Sequence, residues 1–263
     1  MTAEGGIDIR IVDGTAELRL VNPARRNAIS AAMWHAIRDF AMSTANEAGL
    51  RVVTIPGDGE ATVSAGADVS AFDEARSGLD DTRSYDDLVE EACGAVERID
   101  VPTVALIRGP CMGAGASLAA SCDLRVARDD AFFAVPAARL GLGYDPQGIA
   151  RLLRVFGPAA TRELLFTADR LPAGRAYALG AVNAVAVTAD FDAIGRQFVA
   201  RIAENAPLTL AAAKTAIRAL TSVEAAGPLE AARRLVDRAN ASADYLEGRR
   251  AFAEKRLPRF TGR

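Results

Sequence analysis

Two turns built almost entirely of glycine and alanine constrain this chain more than any other feature. The first spans residues 64–68 (SAGAD) and the second spans residues 109–117 (GPCMGAGAS). Apolar runs typical of buried strands precede them at residues 51–56 and 104–107, and the second turn leads into a predicted helix over 114–122. Glycine and alanine leave backbone N–H groups unshielded, and a helix start adds unpaired donors. If the turns meet, they can form an oxyanion-binding cavity.

Glycines in such turns also have other uses. Glycines before a helix often serve tight turns or close packing, so either turn alone favours a structural role. The spacing of Gly109, Gly113 and Gly115 differs from the G-x-G-x-x-G fingerprint of a dinucleotide-binding fold. Neither turn is followed by the Gly-Lys-Ser/Thr of a phosphate-binding loop. Together the two turns favour catalytic use of the backbone.

The composition argues against several classes of function. The chain has 263 residues, a net charge of −3 and a pI of about 5.4, with charges of both signs dispersed, so we expect no nucleic-acid or membrane surface. Three cysteines and no apolar leader predict a cytoplasmic protein without disulfides. The single histidine, His35, lies in a helical pattern near Asp39, which favours a solvated side chain over a catalytic triad or a metal site.

Strand and helix patterns alternate along the first two thirds of the chain. Residues 7–11 and 16–21 predict a hairpin joined by Asp13 and Gly14, and Ser30 is predicted to cap a helix that runs to about Asn46. Further strands are expected over 52–56, 104–107, 124–126, 131–135 and 182–187. The strands at 124–126 and 131–135 are expected to pair with each other. Further helices are expected over 84–99, 114–122 and most of the chain after Pro146. This order predicts a mixed α/β core with a helical C-terminal region.

Five segments in this order resemble one known family. They are residues 20–30 (LVNPARRNAIS), 65–68, 109–117 with 122–124 (CDL), 133–143 (FAVPAARLGLG) and 247–256 (EGRRAFAEKR). As a set they resemble the crotonase superfamily, also called the enoyl-CoA hydratase/isomerase family, from about Ile9 to Lys255.

The resemblance implies a fold and an assembly. It implies an α/β spiral of repeated ββα units over residues 1–200 and a helical region over 201–263 that packs in trimers or hexamers. The apolar residues 210–220 are compatible with such an interface or with a helix inside the core of one chain.

The resemblance also implies activation of an acyl-CoA thioester through an enolate. Coenzyme A then enters as part of the substrate, and no separate cofactor is expected. By the family pattern, the backbone N–H groups of Ala67 and Ala114 hold the enolate oxygen. The second position is usually glycine in the family, so Ala114 adds a methyl group near the cavity while keeping its N–H.

The two glutamates that hydratases of this family use are absent. Aligning the motifs places Ser117 at the first glutamate position and Ala137 at the second. Neither residue can move a proton unaided near neutral pH. The usual hydration mechanism therefore cannot be inferred from the fold alone.

Several side chains are candidates to replace the glutamates. Tyr144 resembles a pocket tyrosine of methylmalonyl-CoA decarboxylases, where an enolate forms by loss of CO2, although it could also be a plain wall residue. Asp145 is a second candidate, but followed by Pro146 it also suits a helix N-cap. Ser117 could hold a water or simply lie in the first turn of a helix. The helix after residue 84 carries four acidic residues (Asp86, Asp87, Glu90, Glu91), for which a solvated face is favoured over one side chain that reaches inward.

Coenzyme A recognition is assigned by resemblance. The expected binding residues lie in the loop over 25–28, the two turns and the last helix: Arg26, Ala28, Ala65, Gly66, Asp68, Gly113, Phe252 and Lys255. The last helix could come from a neighbouring subunit. The length of the acyl group depends on how residues 70–88 fold.

Two classes of function stay open. One is an enzyme that hydrates, isomerises or decarboxylates a CoA thioester, and the two retained turns favour it. The other is a non-catalytic acyl-CoA-binding protein, which Ser117 and Ala137 favour.

Overall fold

The computed structural model describes residues 5–68, 79–221, 237 and 240–258. Its strands form two sheets, one of six strands and one of three. The strands are β1 Gly6–Val12, β2 Thr15–Val21, β3 Val52–Pro56, β4 Thr103–Ile107, β5 Pro110–Met112, β6 Leu124–Arg128, β7 Phe132–Ala134, β8 Leu171–Pro172 and β9 Ala184–Ala186. The helices are α1 Ala31–Ser43, α2 Leu79–Arg98, α3 Ala114–Ser121, α4 Pro146–Phe166, α5 Ala173–Ala178, α6 Phe191–Ala203, α7 Pro207–Thr221 and α8 Ala243–Ala253.

Local sequence signals fix the first elements as predicted. Strands β1 and β2 form an antiparallel hairpin, and its turn residues Asp13 and Gly14 have φ of 49° and 75°. Both values lie in the region that turn residues of tight hairpins adopt. Ser30 caps α1 by accepting a hydrogen bond from the Met33 N–H, and a 3-10 turn continues the helix to residue 46.

The chain passes repeatedly from the large sheet to the small one and then into a helix. The large sheet has the order β1-β2-β3-β4-β6-β9, and the small sheet has the order β5-β7-β8. Strand β4 is followed by β5 and α3, and β6 by β7 and α4. After β3, Ser64 forms an isolated parallel bridge with Cys111 of β5 before the chain continues to α2. These repeats are the ββα units that the resemblance implied.

One predicted pairing is wrong. The segments at 124–126 and 131–135 are both strands, but they do not pair with each other. Strand β6 already pairs with β4 on one edge and β9 on the other, so neither edge is open to β7. Strand β7 pairs instead with β5 and β8 in the small sheet.

The main core lies between the sheets and the helices that follow them. Trp34 of α1, Phe133 of β7 and Leu152 of α4 are fully buried there, and each such side chain contributes about 1.5–3 kcal/mol. A second cluster, with Val104 and Phe191, lies where α6 covers the other face of the large sheet.

Helix α7 is attached to the core by a polar contact. Lys214 Nζ lies 2.7 Å from Asp123 Oδ2 and donates to the Val101 carbonyl at 2.9 Å. Leu208 and Ile217 on the same helix are 85% and 61% exposed. The alternative of a core helix within one chain is therefore wrong for this segment, and self-association stays a prediction, as does the division at residue 200, which lies within α6. No helix among the described residues combines the length and apolarity that a bilayer crossing requires.

Candidate active site

The two glycine and alanine turns meet, as the sequence predicted. The Met112 N–H donates to the Ser64 carbonyl at 3.0 Å, and the Ser64 N–H donates to the Pro110 carbonyl at 3.3 Å. Gly115 permits this approach, because a Cβ at that position would lie 2.6 Å from Ser64 Cβ. The main chains of residues 64–68 and 110–115 therefore pack directly against each other.

Two glycines shape the turns through backbone conformation. Gly66 has φ of 110°, and a Cβ there would lie 3.2 Å from the Met112 carbonyl oxygen. Gly113 has φ of 48° and connects the end of β5 to the start of α3. Both conformations are rare for residues with a side chain.

Two backbone N–H groups are left open where the turns meet. Within the described ranges, the N–H groups of Ala67 and Ala114 have no protein acceptor, and both residues line the same cavity. Ala114 is the first residue of α3, where an N–H has no partner inside the helix. The neighbouring N–H groups donate to backbone carbonyls: Ala65 to Arg26 (2.9 Å), Asp68 to Ile29 (3.0 Å) and Gly113 to Ala134 (2.8 Å).

The cavity in front of these groups has a volume of about 630 Å³. The apolar part of its wall includes Val89, Leu140, Leu142 and Phe252. Phe252 comes from α8 of the same chain, so no neighbouring subunit is needed to place it there. The depth of the acyl pocket was expected to depend on residues 70–88, and the first nine of these, 70–78, lie outside the described residues.

The two positions that the family pattern assigns to glutamates both face this cavity. Ser117 and Ala137 line it and are 2% and 6% exposed. Ser117 lies in the first turn of α3, as one of its two interpretations required, and its Oγ accepts a hydrogen bond from Arg151 Nη1 at 3.1 Å. Neither position supplies a carboxylate.

A carboxylate does reach the cavity, from a helix on which sequence analysis favoured a solvated face. Glu90 of α2 lines the cavity and is paired through both oxygens with Arg151 of α4, at 2.8 Å and 3.3 Å. The two side chains are 10% and 3% exposed. Burial raises the pKa of Glu90 above its ordinary value, and the Arg151 guanidinium opposes that rise without cancelling it.

The interpretation of α2 as a solvated acidic face is therefore wrong for Glu90 and for Asp86, which is half-buried and also lines the cavity, although Asp87 and Glu91 are exposed. Helical periodicity could not identify Glu90, because the partner that draws it inward, Arg151, is distant in the chain.

Tyr144 lies beside this ion pair. It lines the cavity together with Ser117 and Glu90. Burial raises the pKa of its phenol, so the hydroxyl is protonated near neutral pH. Gly148 makes room for it, since a Cβ there would lie 3.0 Å from Tyr144 Cε1 and 3.4 Å from Glu90 Oε1.

Asp145 forms the predicted helix N-cap. Its side chain accepts from the Gln147 N–H at 2.7 Å, and Pro146 opens α4. The carboxylate also lines the cavity, so the capping contact fixes it at the cavity wall.

The expected coenzyme A residues fall into two groups. Arg26 and Lys255 are exposed and do not line the cavity; Arg26 instead contributes its carbonyl to Ala65. Arg25, which was not singled out, lines the cavity and pairs with Asp68 at 2.6 Å. The remaining members lie on the cavity wall: Ala28, Ala65, Gly66, Asp68, Gly113 and Phe252.

Asn27 holds the loop that carries Arg25 and Ala28 against the first turn. Its φ is 54°, and its side-chain amide donates to the carbonyls of Asp58 (2.8 Å) and Thr62 (3.0 Å). Its Oδ1 accepts from the Asn22 N–H at 3.0 Å. The asparagines of residues 20–30 therefore shape the rim of the cavity.

Comparison with known proteins gives a consistent result. The family model described as enoyl-CoA hydratase/isomerase matches residues 10–263. A protein named probable enoyl-CoA hydratase from Mycobacterium leprae is 33% identical over 97% of this chain and 99% of its own length. A carnitinyl-CoA dehydratase from Proteus mirabilis is 32% identical over 93% of this chain and 94% of its own length.

The fold is also similar to that of solved structures of proteins that are named for CoA thioesters. The solved structure of a methylmalonyl-CoA decarboxylase in complex with 2-nitronate-propionyl-CoA has a TM-score of 0.88 and 28% identity, and covers 98% of each chain. The predicted fold class, an α/β crotonase-like fold with a helical C-terminal region, is confirmed.

Proposed function

The chain belongs to the enoyl-CoA hydratase/isomerase family, and from that premise we propose that it activates an acyl-CoA thioester through an enolate held by Ala67 and Ala114. One observation carries the proposal. These two N–H groups have no acceptor among the described residues, and both residues line one cavity, whereas the nearby N–H groups of Ala65, Gly66, Asp68 and Gly113 are engaged.

The two donors would act on the thioester carbonyl. As the α-carbon gives up its proton or a carboxylate, negative charge moves to the carbonyl oxygen. Donors fixed in a cavity lined largely by apolar side chains stabilise that charge without reorganising, which water cannot do. Removal of one such donor typically lowers the rate constant about 10²- to 10³-fold.

Coenzyme A enters as part of the substrate, and no separate cofactor is required. Arg25 and Asp68 lie on the cavity wall, and Arg26 is exposed nearby in the chain, where it is available to phosphates. We further propose a cytoplasmic protein that forms trimers or hexamers through its helical C-terminal region. Buried free cysteines support the first statement, and exposed Leu208 and Ile217 on α7 support the second.

The reaction is hydration, isomerisation or decarboxylation. Tyr144 on the cavity wall, and the structural similarity to a methylmalonyl-CoA decarboxylase, favour decarboxylation as one candidate. Such a reaction requires the oxyanion donors but no strong base. The alternative is a non-catalytic acyl-CoA-binding protein, which the absence of carboxylates at Ser117 and Ala137 favours.

Hydrogen exchange at the α-carbon tests enolate formation by loss of the α-proton, the route that hydration and isomerisation share. The protein is incubated with butyryl-CoA in D2O, and deuterium at the α-carbon is measured by mass spectrometry. We expect exchange well above the protein-free rate. Ala114→Pro should lower it about 10²- to 10³-fold, because proline lacks the N–H yet suits the first position of a helix.

The matched control is Ala31→Pro, the same change at the first position of α1. It should exchange at the wild-type rate. Butyryl-CoA binding without exchange in the wild-type protein would support decarboxylation or the binding-protein alternative instead.

A further inference from the structure

The missing carboxylate is replaced in space by one from another helix. Arg151 Nη1 lies 3.1 Å from Ser117 Oγ and 3.3 Å from Glu90 Oε1, so one nitrogen joins the two oxygens. Ser117 is the position where the family pattern has a glutamate, on α3. The carboxylate of Glu90 therefore lies next to the first empty glutamate position, but it projects from α2.

We propose that Glu90 is the proton-transferring residue of this enzyme, and that Arg151 positions its carboxylate. The inference rests on the proposed function, because it assigns the group that moves the proton when the enolate forms.

The step balances without an added reactant. A Glu90 oxygen takes the α-proton of the acyl group, and the electron pair of that C–H bond moves through the α-carbon to the thioester oxygen, which Ala67 and Ala114 hold. The enolate then takes the proton back from the Glu90 carboxylic acid at the α-carbon, or at the γ-carbon when a double bond is to be moved.

The ion pair leaves the carboxylate able to do this. Each carboxylate oxygen has two acceptor positions, and Arg151 takes one on each oxygen. Glu90 is on the cavity wall, so its remaining positions can face a substrate. Arg151 does not line the cavity and is 3% exposed, so it acts on the substrate only through Glu90 and Ser117.

The surroundings of Glu90 place its titration above that of an ordinary glutamate. Burial is the largest cause, and a raised pKa brings a carboxylic acid closer to the pH at which it can both take and return a proton. The ionisable groups around it lie on two helices and the loop before the second: Glu97 and Cys93 on α2, Arg151 on α4, and Tyr144 and Asp145 just before α4.

The test uses butyryl-CoA exchange in D2O across a range of pH, with Glu90→Gln and a matched control. The control is Glu97→Gln, the same change on the same helix; Glu97 also pairs with Arg151, at 2.9 Å, but does not line the cavity. We expect Glu90→Gln to lower exchange about 10²- to 10⁴-fold and Glu97→Gln to change it less than about threefold. Both variants should bind butyryl-CoA about as tightly as the wild-type protein.

The pH profile separates a proton carrier from a structural residue. Wild-type exchange should rise with pH through a midpoint above the ordinary glutamate value, and that limb should be lost in Glu90→Gln. Glu90→Asp should retain the limb with a reduced maximum, because it keeps a carboxylate.

Three outcomes overturn the inference, and they differ in what they say of the proposed function. Exchange that persists unchanged in Glu90→Gln leaves the enolate mechanism intact and removes Glu90 from it. Absence of exchange in the wild-type protein removes the inference together with enolate formation by loss of a proton. Glu90→Gln that loses exchange together with butyryl-CoA binding also contradicts the inference, since a proton carrier should not be needed for binding.

Discussion

At the scale of single residues, Gly148 decides how closely the two polar side chains of the cavity approach. It lies in the first turn of α4, and an added Cβ would lie 3.0 Å from Tyr144 Cε1 and 3.4 Å from Glu90 Oε1. The first contact is tighter than side chains normally make, so the tyrosine ring would have to move. A glycine inside a helix otherwise costs about 1 kcal/mol relative to alanine.

Gly148→Ala should therefore lower activity while leaving the fold intact. We expect butyryl-CoA exchange to fall about 10- to 100-fold, because displaced catalytic groups lose rate steeply. The free energy of unfolding should stay within about 1 kcal/mol of wild type. Gly174→Ala is the control, since that helical glycine has open space around it and lies outside the cavity. Wild-type exchange by Gly148→Ala would show that the spacing of Tyr144 and Glu90 is unimportant.

At the scale of elements, α2 and α4 are joined by arginines of two kinds. Arg151 is 3% exposed and pairs with Glu90, Glu97 and Ser117. Arg154, nearly one helical turn later, is 40% exposed and pairs with Glu97 at 2.6 Å. Removing one partner of a buried ion pair leaves an uncompensated charge, whereas an exposed pair contributes little.

The same substitution at the two arginines should therefore destabilise the protein to different extents. Arg151→Met should lose about 3–5 kcal/mol in the free energy of unfolding, measured by urea denaturation, and Arg154→Met less than about 1 kcal/mol. Equal losses for the two variants would mean that the Glu90 carboxylate does not depend on Arg151 for compensation in the fold.

At the scale of the whole molecule, the sequence predicted the parts of the fold that local chemistry determines. The Asp13-Gly14 hairpin, the Ser30 and Asp145 caps and the meeting of the two small-residue turns are all confirmed. Each follows from residues close together in the chain or from the order of motifs, which the comparisons with known proteins also support.

Features that depend on contacts across the chain were not predictable in the same way. Strand β6 pairs with β4 and β9, and this pairing depends on which sheet edges are already occupied. The short spacing between 124–126 and 131–135 suggested instead that these two strands pair with each other. Glu90 turns inward because Arg151 is buried opposite it, and no local pattern on α2 reports that.

The open N–H groups of Ala67 and Ala114 should polarise a bound thioester carbonyl. Infrared difference spectroscopy of butyryl-CoA carrying 13C at that carbonyl measures this directly. We predict a lower carbonyl stretching frequency in the bound than in the free thioester, a shift that Ala114→Pro reduces and Ala31→Pro retains. A bound carbonyl with the frequency of the free thioester, or a shift unchanged by Ala114→Pro, would show that these N–H groups do not act on the carbonyl.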